Sequence, residues 1–147
     1  MAVGKKEKKP KMAVSVSPSK TPVAQPVADF NKLYPAWRVA RLEMCDPFGW
    51  HEVNKSKLDD IRKRLSELEK LTWKEILIDQ NHWNHIVQIG NLTKEARERL
   101  SSLRLDDLDE VISLRLSWAE RIWGYKFKDA LTLLWYDPKH DVWDDKS

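Results

Sequence analysis

Between Val111 and Trp143, apolar and polar positions alternate in three consecutive runs. Over residues 111–116, Ile112, Leu114 and Leu116 alternate with Ser113 and Arg115, the period of a half-buried strand. Over 121–127, Trp123, Tyr125 and Phe127 share one parity, and Ile122, Gly124 and Lys126 share the other. Over 130–136, Leu131, Leu133 and Trp135 alternate with Thr132 and Tyr136, with Leu134 out of step. Aromatic and β-branched side chains suit a pleated surface. The links, 117–120 and Lys128-Asp129, are short, so the three runs predict a hairpin-linked meander.

A helical period governs residues 56–71. Leu58, Ile61, Leu65 and Leu68 step by three and four and share one face. Ser56 and Asp59 stand at capping-box spacing. Arg62, Lys63 and Arg64 lie among Asp59, Asp60, Glu67 and Glu69, so pairing along the helix accounts for the basic run. Thr72 and Glu75 repeat the capping pattern and predict a short helix over 73–79. Thr93 opens a third helix over 94–103, with Ala96, Leu100 and Leu103 facing inward. A strand is expected over 37–44, where the alternation changes phase near Val39-Ala40, and a short one over 86–89. This order predicts an α+β fold. Its antiparallel sheet ends in the meander, and helices pack on one face, leaving the other as a working surface.

The 147 residues suffice for one domain with a modest core. Residues 1–28 hold six Lys and one Glu, so of the formal +3 the remainder carries −2. That segment has no aromatic residue and reads as a disordered Lys/Pro-rich tail, with a single α+β domain over 29–147. A slightly acidic domain excludes nucleic-acid binding by bulk charge and leaves only local phosphate sites. The lone Cys45 excludes an intramolecular disulfide and fits a reducing cytoplasm. No apolar run reaches the roughly 18 residues of a membrane span. Eight Trp imply a core built on large anchors, with any exposed Trp marking an interface.

The chemistry gathers around the meander. Arg115 and Arg121 flank a short turn, and a guanidinium fork binds two phosphate oxygens while staying charged. His140 has a side chain suited to proton transfer near neutral pH, and Tyr136 or Tyr125 can stack or orient a base. Each also has a plain structural reading: the arginines in ion pairs, the histidine bonded within its own turn, the aromatics as core. No Gly-rich phosphate loop or dinucleotide fingerprint is present. His82 and His85 with Cys45 or His51 lack the paired spacing of a zinc set, so no metal and no cofactor is expected.

The element order, with Leu114-Arg115-Leu116 in one strand and Arg121-Ile122-Trp123 opening the next, resembles the RelE/ParE superfamily of toxins over roughly residues 37–143. The resemblance implies a metal-independent endoribonuclease acting on messenger RNA, with the ribosome as a candidate setting and a cognate antitoxin protein as partner. Arg115, Arg121, His140 and Tyr136 would then hold the site positions. Two alternatives stand beside it. One is a non-catalytic module of the same fold that binds a protein target, as in the ParE branch. The other is a nucleic-acid-binding accessory protein that uses the basic tail.

Overall fold

The computed structural model describes residues 29–143, and the tail expected over 1–28 lies outside the described residues. Five strands make one sheet: β1 (Trp37–Arg38), β2 (Asn84–Gln88), β3 (Glu110–Arg115), β4 (Arg121–Phe127) and β5 (Ala130–Asp137). Their order is β1-β5-β4-β3-β2. The predicted meander is its centre, and β2 adds antiparallel beside β3. β1 runs parallel to β5, so the sheet is mixed rather than antiparallel. The strand expected over 37–44 shrinks to two residues because the chain turns where the alternation breaks. Beyond the turn, Glu43 N donates to Leu134 O at 2.9 Å.

Helix α1 is Lys55–Leu68, capped by Asn54, whose Oδ1 accepts from Lys57 N at 2.8 Å. The cap therefore stands two residues ahead of Ser56. The Thr72–Glu75 box forms in both directions, with Thr72 N to Glu75 Oε1 at 2.9 Å and Glu75 N to Thr72 Oγ1 at 3.3 Å. It leads into a π-helical turn, Glu75–Asp79. Helix α2, Lys94–Ser102, is capped by Thr93 as expected.

The sheet is covered on both faces, not one. On the first, Ile61 and Leu68 of α1, Trp73 just ahead of the π-helical turn and Ile76 within it pack with Ile112, Leu114, Ile122, Leu131 and Leu133. On the second, Ala96 and Leu100 of α2 pack with Phe48, Val111, Trp123, Leu134 and Trp135. The reason is in the strands: both parities of the meander are apolar, and each face needs its own cover. Burial at ~25 cal/mol per Å² of apolar area makes either cover a large stabilising term.

Leu134, the residue out of step, marks a β-bulge. Trp123 stands opposite Trp135 and Gly124 opposite Leu133, which leaves Leu134 as the extra residue. The phase shift turns Trp135 to the α2 side while Leu131 and Leu133 stay on the α1 side. Gly124 is required here, because a Cβ would lie 2.4 Å from Thr132 O. Trp73, Trp123 and Trp135 are fully buried anchors. Two other indoles are not: Trp83 is 51% exposed and Trp118 86%.

Candidate nucleic-acid interface

Pairing of β3 with β4 sets Arg115 opposite Arg121, and pairing of β4 with β5 sets Arg121 opposite Asp137. The two guanidinium groups nonetheless have different employment. Arg121 is only 6% exposed. Its Nη1 donates to the carbonyls of Ser117, Trp118 and Glu120 at 3.0, 3.1 and 3.0 Å, which staples the β3–β4 turn shut.

Tyr136 lies on the α1 side, where its hydroxyl donates to Glu120 Oε2 at 2.7 Å. The other carboxylate oxygen receives Lys57 Nζ at 2.7 Å and Ser117 Oγ at 2.5 Å. Burial raises the Glu120 carboxyl, but the bonds from Lys57, Ser117 and Tyr136 outweigh it and hold the group below the ordinary range. Burial, and then the Glu120 charge, push the Tyr136 phenol well above its usual range. It keeps its proton and braces the turn.

His140 follows β5 with φ 61°. Its ring packs on Trp143 at 6.2 Å between centroids, and Trp143 also meets His85 at 5.1 Å. The His140 Nε2 is buried with no hydrogen-bond partner. Asp137 fastens this segment: Oδ1 accepts from Asp141 N at 2.9 Å, and Oδ2 from Val142 N at 3.1 Å and Trp123 Nε1 at 3.2 Å. Burial raises the Asp137 carboxyl despite these donors.

Arg115 is the candidate that reaches open space. Its guanidinium carbon stands 4.8 Å from the centroid of the Trp83 ring, a cation–π distance. The pair lines a cleft of about 360 Å³ together with Arg64, Glu67, Gln80 and Leu116. Arg64 Nε donates to Arg115 O at 2.9 Å, which ties α1 to the end of β3. A second cleft, about 230 Å³, shares Arg64, Glu67 and Leu116 and continues to Lys57, Asp60, Lys63, Ser117 and Glu120. The Ser117–Glu120 turn at its far end carries the exposed Trp118. The two clefts make one trough between α1 and the β3–β4 turn, in which Arg64, Arg115, Lys57 and Lys63 stand among carboxylates and Trp83 supplies the indole.

Of the four residues singled out from the sequence, only Arg115 lines this trough. Two contributors have no place among those four. Arg64 belongs to the basic run that pairing along the helix accounts for, and it does approach Glu67, at 3.6 Å. Trp83 sits outside any periodic run, and that irregular setting is the available signal. His85 and Cys45 do not assemble a metal set: the imidazole faces Trp143, and the thiol lies 3.4 Å from Arg99 Nη2. Asp46, His51 and Glu52 do bring three ligand-capable atoms within 4.8 Å of one another, all at exposed positions. Among the described residues no helix is long and apolar enough to cross a membrane. Comparison with protein-family models, curated proteins and solved structures finds no match.

Proposed function

We propose that the chain binds single-stranded RNA along the trough between α1 and the β3–β4 turn. The observation that carries this reading is the Arg115 guanidinium over the half-exposed Trp83 ring in a cleft that Arg64 also lines. An unpaired base has a free π-face to stack on such an indole, and two guanidinium groups meet the adjacent phosphates. A duplex keeps its bases stacked away from that surface. The likeness to RelE/ParE toxins favours messenger RNA as the source of the strand. The test is fluorescence anisotropy of the full chain with a labelled 12-nucleotide RNA. Trp83→Ala and Arg115→Ala are each expected to weaken binding at least tenfold, and the salt dependence to flatten only for Arg115→Ala. Unchanged affinity in both variants would leave binding to the basic tail and sink this reading.

One observation favours a second reading, a metal-independent endoribonuclease. His140 sits just past Asp137, at the sheet end where Arg115 and Arg121 face each other. Cleavage needs an imidazole nitrogen within reach of the 2′-hydroxyl or the leaving oxygen, so Trp143 has to swing away from His140. Induced expression of wild type and His140→Ala, read by messenger RNA integrity, separates the two. Loss of cleavage in a folded His140→Ala protein supports the nuclease; intact messenger RNA with both supports binding alone.

A further inference from the structure

The stripe Leu58, Ile61, Leu65 and Leu68 reads as inward-facing, yet it does not behave as one. Ile61 and Leu68 are buried, while Leu58 is 57% exposed. Leu58, Ile61 and Leu65 line a groove of about 550 Å³ alongside α1. Its opposite wall is Val39, Leu42 and Trp50. The α1 residues on the groove run from Lys55 to Leu65, about 15 Å of helix at ~1.5 Å per residue. The steps of three and four between Leu58, Ile61 and Leu65 are those of a coiled-coil seam, so one side of α1 offers holes for the knobs of another helix.

The groove's charges choose the partner. Lys55 and Arg62 line it with Asp59. Asp59 is already held by Arg62 at 2.9 Å and Lys63 at 3.2 Å, while Lys55 has no ion-pair partner among the described residues. The edge is therefore net positive beside an apolar floor. We infer that this groove receives an amphipathic helix of a partner protein, with apolar side chains repeating at three and four and carboxylates flanking them to meet Lys55 and Arg62. The site is separate from the RNA trough and does not depend on it.

The test uses two labelled 14-residue peptides with leucines at heptad seam positions, flanked by Glu in one and by Lys in the other. They are titrated against the full chain and followed by anisotropy. The Glu peptide is expected to bind at least tenfold tighter than the Lys peptide. Leu58→Asp, at an exposed position that leaves the core untouched, is expected to lose that binding. Lys55→Glu is expected to weaken the Glu peptide and strengthen the Lys peptide. Equal binding of both peptides, binding of neither, or indifference to Leu58→Asp overturns the inference. A concentration-dependent dimer in sedimentation that Leu58→Asp abolishes also overturns it, by assigning the groove to a second copy.

Discussion

Glu43 and Arg99 meet in two-point contact, with Nε–Oε1 at 2.6 Å and Nη2–Oε2 at 2.8 Å. The carboxylate is buried and also accepts from Trp135 Nε1 at 3.3 Å. This joins the turn after β1 to α2 on the face of the sheet that α2 covers. The Arg99 bond, more than burial opposes it, holds the Glu43 carboxyl below its ordinary 4.5. A depressed carboxyl stabilises the fold above pH 4.5, and that contribution is lost as pH falls through the folded value. Glu43→Gln strands a half-buried guanidinium and is expected to cost about 3 kcal/mol at pH 7. Urea unfolding at pH 7 and pH 3 checks both parts: the gap between wild type and variant should shrink at the lower pH.

Asp137 accepts three hydrogen bonds while buried, two of them from the backbone of the segment that follows His140. Asp137→Ala leaves Trp123 Nε1 and two amides without their acceptor. It is expected to destabilise by about 3 kcal/mol and to speed hydrogen exchange at Asp141 and Val142. Equal exchange in both proteins would mean that other contacts hold the segment.

Gly124→Ala places a methyl 2.4 Å from Thr132 O and 3.0 Å from Leu131 Cγ. The nearer neighbour is backbone and has little room to give. The expected loss is about 2 kcal/mol, measured by thermal unfolding; a neutral substitution would mean that β4 and β5 can part at the bulge.

Tyr136→Phe removes one donor from Glu120 but leaves Lys57 and Ser117 in place. A loss of about 1.5 kcal/mol is expected, with RNA affinity unchanged. A fall in affinity without a fall in stability would return Tyr136 to the binding surface.

The meander was readable because strict alternation over five or more residues leaves few other conformations for the chain. The Thr72–Glu75 and Thr93 caps were readable because their bonds are local. The two-sided cover was less so. It follows from both parities of the meander being apolar, with Ile112 and Ile122 on one face and Val111, Trp123 and Tyr125 on the other. Leu58 looked like core because periodicity names a face of α1 and does not say how far the sheet extends beneath it. The trough was hidden for a different reason: Arg64, Trp83 and Arg115 come from three separate segments, and only the tertiary fold brings them to one place.

The bulge also constrains how this chain can vary. Losing Leu134 would restore a regular ladder with Trp135 still opposite Trp123 and Leu133 still opposite Gly124, so every other residue of β5 would keep its face. What would go is one apolar side chain of the α2-side core and the carbonyl that receives Glu43 N. Losing Tyr136 instead, where no extra residue stands, would turn Asp137 away from Trp123 and release the loop carrying His140. The bulge is therefore the place in β5 where chain length can change by one without a reversal of inside and outside.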